Sequence, residues 1–375
     1  MKKTLVALAA IAATASFAQS SVTISGNFDF AAVSKSGSIA RANGTTVTTG
    51  QGSSSTSTIK ITAVEDLGGG LKVTGLYEID PRNWAEDGLR FESTGNSGTG
   101  GATSNIASTL TGLNVGDAYI MLSGGMGSIQ LGRFTTFGLG VSGLGSPLGT
   151  AIGSGYTFNA VSGSGINSVV STRSSGRSFK ITSASMNGFT AGILHTPGND
   201  QTYGVSTSTL SIPNNRAMTE VALNYSKGPL NLGFVNISQP AQTNATGYLG
   251  GTTSSAGAAA TSTNVYGANY NLGNLTVYGA AFNGQALTSS STPANVGGWR
   301  AGVKFTMGKI DIIGQYNELR TTSASSETKG TVTGARVDYN LSKTAAAYLG
   351  LEKHDSGATS ANQLDMVSIG LRKSF

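Results

Sequence analysis

A chain of 375 residues with 54 glycines, 7 prolines, no cysteine and only 11% charged residues has no sulfur to staple a fold or build a metal cluster. Its net charge of +6 is dispersed as single residues, with no basic run and no basic helix, which argues against nucleic-acid binding. Low charge with abundant Gly, Ser and Thr is also a mark of disorder, but here the hydrophobic residues alternate instead of scattering.

The first element is an export signal. Lys2 and Lys3 precede the apolar run "LVALAAIAA", and small residues in "SFA" precede "QSS". This predicts a secretory signal peptide over residues 1–18, cleaved after Ala18, with Sec-type export and a mature chain from Gln19. Nine apolar residues are too few to span a bilayer. The 357 residues after Ala18 hold no apolar run near the length of a membrane helix, and their net charge falls to +4 without Lys2 and Lys3.

Strands follow in succession. In "SVTISGNFDFAAV", Val22, Ile24, Phe28, Phe30 and Ala32 share one parity, and Thr23, Ser25, Asn27 and Asp29 share the other. Successive side chains of a strand face opposite sides, so one face is apolar and one polar. "STIKITAVED" sets Ile59, Ile61 and Ala63 against Thr58, Lys60 and Thr62; "GDAYIMLSG" sets Ala118, Ile120 and Leu122 against Asp117, Tyr119 and Ser123. "GWRAGVKFTM" and "GARVDYNL" repeat the pattern around Arg300, Lys304, Arg336 and Asp338. The turns "EDLGGGL", "GGMGS", "MNGF", "KGPL", "NLGNL", "MGKI" and "LSKT" predict seven tight hairpins. Long polar tracts lie between them, so eight long loops alternate with seven short turns and sixteen strands result. That spacing, about 22 residues for each strand with its connection, suits transmembrane strands of roughly 9–11 residues.

A secreted β-sandwich would also alternate, but it keeps most of its loops short. Short turns at one end and long loops at the other predict an all-β, sixteen-stranded antiparallel transmembrane barrel over residues 19–375, because a closed sheet leaves no backbone edge in lipid. The final strand, "DMVSIGLRKSF", puts Val367, Ile369, Leu371 and Phe375 on one parity, with Phe375 in the periplasmic aromatic girdle. Lys373 breaks the row, and near the interface its long side chain reaches water.

"SSVTISGNFDFA", "EDLGGGLK" (Glu65 to Lys72), "AYIMLSGGMGSIQLGR" (Ala118 to Arg133), "SFKITSASMNGF", "DYNLSKTAAAY" and "GLRKSF" occur in this order from Ser21 to Phe375. Together they resemble the Gram-negative general (diffusion) porins of the trimeric, sixteen-stranded β-proteobacterial type. The chain departs from that family at Ala184, Thr344 and Lys373, and between Arg133 and Arg173 it lacks the family's acidic constriction motif. The resemblance implies a homotrimer with a flat apolar face around Phe28 and Phe30. It also implies contact with outer-membrane lipid and lipopolysaccharide, and recognition of Phe375 by the outer-membrane assembly machinery.

Little in the sequence speaks for other chemistry. "GLGVSG" (Gly138 to Gly143) fits a dinucleotide fingerprint, but the helix and downstream acid that such a site needs are not expected. His195 and His354 are the only histidines, no Ser/His/Asp order is evident, and neither an enzyme nor a cofactor is expected. "RNWAEDGLRFE" is the most acidic loop and is read as a mixed-charge solvent loop in preference to a Ca²⁺ site. Parity places Lys60, Lys72, Lys180, Arg300, Lys304, Arg336 and Arg372 in the lumen, with Asp29, Glu78, Asp80, Asp117, Asp311 and Asp338.

The 39 residues from Phe134 to Thr172 contain no Asp, Glu, Lys or Arg. By resemblance this third loop folds into the barrel, facing Lys60, Lys180 and Arg300 across the channel. Arg133, Arg173 and Arg177 flank its ends, and Asp29, Glu78 and Asp117 partly offset them. The expected function is passive diffusion of small hydrophilic solutes and ions through the outer membrane, with weak anion preference. A non-conducting structural or adhesive barrel is the alternative, and a soluble ligand-binding sandwich the third reading.

Overall fold

The computed structural model describes residues 20–37, 47–49, 55–80, 114–154, 170, 173–174, 177–198, 217–241, 260–287, 293–323, 326–355 and 363–375. The expected signal peptide and the acidic loop at residues 82–92 lie outside them. The described strands are β1 (Ser21–Ser36), β2 (Val47–Thr49), β3 (Thr58–Gly68), β4 (Leu71–Asp80), β5 (Asn114–Gly124), β6 (Gly127–Arg133), β7 (Ser178–Ser183), β8 (Phe189–Thr196) and β9 (Met218–Lys227). They continue as β10 (Leu230–Gln239), β11 (Thr261–Asn271), β12 (Leu275–Leu287), β13 (Pro293–Met307), β14 (Ile310–Ser323), β15 (Ser326–Asn340), β16 (Ala345–Asp355) and β17 (Gln363–Ser374). One helix, α1 (Phe137–Leu144), stands between β6 and β7. All strand pairs are antiparallel, and apart from the three-residue β2 they make one closed sheet of sixteen.

Each of the seven expected turns joins a hairpin. At Gly68, Gly69 and Gly70 φ is 82°, 60° and 82°, a left-handed run that a side chain would strain. Alternation places Ile24, Ile120, Leu131, Ile369 and Leu371 on the exposed outer face, as a lipid-facing band requires.

Closure depends on both chain ends. The lower half of β1, Ser21 to Asn27, pairs with β3, and its upper half, Asn27 to Ser36, pairs with β17. Phe375 completes this seam: its N–H donates to the Gly26 carbonyl and its carbonyl accepts from the Gly26 N–H, both at 3.0 Å. Its ring lies 5.1 Å from that of Phe28 on the outer face. Two of the family departures meet nearby, where Lys373 Nζ donates to Thr344 Oγ1 at 2.5 Å.

Above Thr58 the place of β3 is taken by Ser55 and Ser57, latched onto Asp29. The Ser55 N–H donates to Asp29 Oδ2 at 2.5 Å, the Asp29 N–H donates to Ser57 Oγ at 3.0 Å, and Tyr348 Oη donates to Asp29 Oδ1 at 2.5 Å. Asp29 is fully buried, so the carboxylate expected to line the pore is instead a fastener of the wall.

The interior also departs from a uniformly polar lumen. From β8 to β15 the inward residues Leu194, Met218, Val235, Ile237, Val265, Phe282, Val296, Leu319 and Val332 are buried with Phe134, Phe137, Val141 and Val170 of the third loop. Burying each large apolar side chain contributes roughly 1.5–3 kcal/mol, so this half of the barrel holds the loop as a protein core would.

Candidate functional site

The third loop enters the barrel beside its own exit. The Ser174 N–H donates to the Phe134 carbonyl at 2.9 Å, the Phe134 N–H donates to Ser174 Oγ at 3.1 Å, and Thr135 bridges to Arg173. Between these legs α1 forms despite three glycines, because the free N–H groups of its first turn are supplied with partners. Thr136 caps it by accepting from the Leu139 N–H at 3.1 Å. Glu220, fully buried on β9, accepts from the N–H groups of Phe137 at 2.7 Å and Gly138 at 3.2 Å. A carboxylate there satisfies two donors and meets the positive end of the helix.

The wall beneath the loop is equally specific. Lys180 Nζ donates to the Thr135 carbonyl at 3.0 Å and lies 4.4 Å from the Phe137 ring centroid. Arg300 Nη2 donates to Ser142 Oγ at 2.5 Å, and Asn269 Nδ2 donates to the Leu144 carbonyl at 3.0 Å. Farther along, Ser146 Oγ donates to Gln315 Oε1 at 2.6 Å, and Gln315 Nε2 donates to the Ser154 carbonyl at 2.9 Å. Gly267 leaves no room for a side chain against the Val141 carbonyl, so the helix backbone lies directly on β11. Ile152 then packs on Ala31, Val33 and Tyr348. From Phe134 to Ser154 the loop therefore tracks the inner wall.

The opposite face of α1 is bare. Gly140 and Gly143 are exposed, and a side chain added at either would have no atom within 4 Å. The "GLGVSG" stretch thus does form helix, yet its glycines serve close packing at Gly138 and an open face at the other two.

Charged groups gather on the β3–β5 wall. Lys60 Nζ lies 3.4 Å from Glu78 Oε2, Arg173 Nη2 lies 3.5 Å from Glu78 Oε1, and Arg173 Nε lies 2.7 Å from Asp117 Oδ1. Thr135 Oγ1 donates to both Asp117 oxygens, at 3.1 and 3.2 Å. The order of exposure matters: side-chain accessibility is 41% for Lys60 and 21% for Arg173, but 17% for Asp117 and 3% for Glu78. Lys60 is the most exposed of the four and Glu78 the most buried, with Arg173 and Asp117 close together between them.

The other expected site residues are placed differently. Lys180 and Arg300 lie under the loop, where they were expected across from it. Arg336 is buried against Asp338 at 2.8 Å. Arg133 ends β6 in register with Ala118, after Gly132 at a φ of 133°, and its Nε is buried. Arg177 is exposed just before β7. Glu220, Asn269, Gln315 and Tyr348 were not singled out in the sequence; their partners are 82 or more residues away, and no local pattern signals them.

A sequence profile described as Gram-negative porin matches residues 4–359. Among solved structures, the fold is similar to an anion-selective porin from Comamonas acidovorans, with a TM-score of 0.67 and 18% identity over 95% of this chain and 100% of that one. It is also similar to the trimer form of OmpT, an outer membrane protein of Vibrio cholerae, with a TM-score of 0.65 and 12% identity over 95% and 99%. Salmonella typhi OmpF in complex with daunomycin gives 0.61 and 12% over 94% and 97%. At these identities the likeness is one of fold. No curated protein matches the chain.

Proposed function

Because the chain belongs to the Gram-negative porin family and forms an outer-membrane diffusion channel, we propose that it passes small hydrophilic solutes and ions with a weak preference for anions. The observation that carries this reading is the layered cluster on β3–β5. Lys60 is its most accessible member, and its partner Glu78 is nearly sealed. The loop adds hydroxyls and backbone dipoles but no fixed charge of its own. In a confined lumen charges act at reduced dielectric, so the nearer sign prevails, though only weakly because the formal charges balance.

The same reading makes the working unit a homotrimer, with the outer faces of Phe28 and Phe30 in the subunit contact and lipopolysaccharide around the remaining lipid face. Phe375 serves as the assembly signal. The channel needs no cofactor and performs no catalysis. Reversal potentials in planar bilayers under a KCl gradient test the selectivity, and a chloride-favouring potential is expected. A silent bilayer would support the non-conducting barrel instead.

A further inference from the structure

Basic residues draw the eye in a channel that prefers anions, but the geometry puts the control elsewhere. Glu78 is nearly sealed, yet both of its oxygens are engaged: Oε2 by Lys60 at 3.4 Å and Oε1 by Arg173 at 3.5 Å. Asp117 takes the remaining reach of Arg173 at 2.7 Å. Lys60, Glu78, Arg173 and Asp117 are thus one chain of contacts in which two positive and two negative charges alternate. We infer that Glu78 and Asp117 are specificity-determining residues, which hold the anion preference weak by cancelling Lys60 and Arg173. The inference rests on the reading of this chain as a conducting channel, and it assigns the strength of selectivity to a nearly sealed acid, Glu78, and to Asp117, which is about as exposed as Arg173.

The physical reason is one of distance. A pair separated by about 3 Å looks nearly neutral to an ion several ångströms away, so the field in the lumen is the small difference between near and far members. Removing one acid converts that difference into a full unit charge facing the ion, at short range and little screened. The same cancellation limits the field that exposed Lys60 projects into the lumen. Substituting it leaves Glu78 still covered by Arg173, but shifts the cluster to net negative.

The test measures reversal potentials of the full mature chain, reconstituted in planar bilayers under a KCl gradient. Glu78→Gln and Asp117→Asn are each expected to raise the chloride-to-potassium permeability ratio about two- to tenfold over the parent. Lys60→Gln is expected to lower it, and Lys60→Gln with Glu78→Gln to return it close to the parental value. Ratios for Glu78→Gln and Asp117→Asn equal to the parent's would overturn the inference. So would a double variant that stays shifted, since that would mean a displaced Arg173 and not a lost charge. A cation-selective parent would instead refute the anion reading while leaving the acid-to-amide shifts as the test of this inference.

Discussion

Val235, Ile237, Val265 and Phe282 point inward from β10–β12, and so do Lys60, Glu78 and Asp117 from β3–β5. Both groups obey the same alternation and sit inside the same closed sheet, yet the first is sealed beneath the third loop and the second keeps its cations in contact with water. Parity decides which side of a barrel wall a residue occupies; what covers it is decided by a loop remote in sequence. The apolar half anchors the loop from Phe134 to Ser154, and the proposed path for solutes runs along the charged half.

The comparison breaks most severely at its anchor. Phe137 is buried against the bare backbone of Gly192 and the Lys180 ammonium. Phe137→Ala is expected to cost the loop's attachment about 3–5 kcal/mol. Single-channel records should then show frequent spontaneous closures, while heat-modifiability in detergent confirms that the barrel is still folded. Glu220→Gln should do the same more mildly, losing about 1–2 kcal/mol because a neutral amide meets the two helix N–H groups less well.

Sharpening the contrast requires a charge on the bare face of α1. Gly143→Asp has open space for its side chain and puts a carboxylate on the exposed face of a loop that has no fixed charge of its own. It is expected to move selectivity about two- to tenfold toward potassium, with folding unaffected, as read by reversal potential. The smallest effect belongs to the seam outside both halves. Lys373→Ala removes an exposed bond to Thr344 and should change thermal stability by no more than about 1 kcal/mol. Phe375→Ser, by contrast, is expected to lower outer-membrane yield much more than it lowers the melting temperature of the protein that does assemble.

The barrel was legible because its outer face is dictated by one solvent, lipid, which imposes the same alternation on every strand. Seven short turns, six of them containing glycine, marked the hairpins, and the ring pair of Phe28 and Phe375 lies where the closing strand was expected to end. The lumen was only partly legible. Alternation put Lys60, Glu78 and Asp117 on one parity, but their pairing through Arg173 needs a residue 56 or more positions on. Asp29 became a fastener because Tyr348, 319 residues away, closes on it. Helix α1 was not expected from "FGLGVSGL", since glycine disfavours helix by about 1 kcal/mol each; Thr136 and the distant Glu220 override that preference.

The most direct test of the central claim uses the absence of cysteine from the chain. Single substitutions Lys60→Cys, Gly143→Cys and Val235→Cys are made in the reconstituted channel and exposed to a water-soluble, membrane-impermeant thiol reagent while current is recorded. The account predicts rapid modification and a stepwise loss of conductance at Lys60→Cys and Gly143→Cys, with no change at Val235→Cys. Rapid block at Val235→Cys together with silence at Lys60→Cys would place the solute path along the apolar half and contradict it.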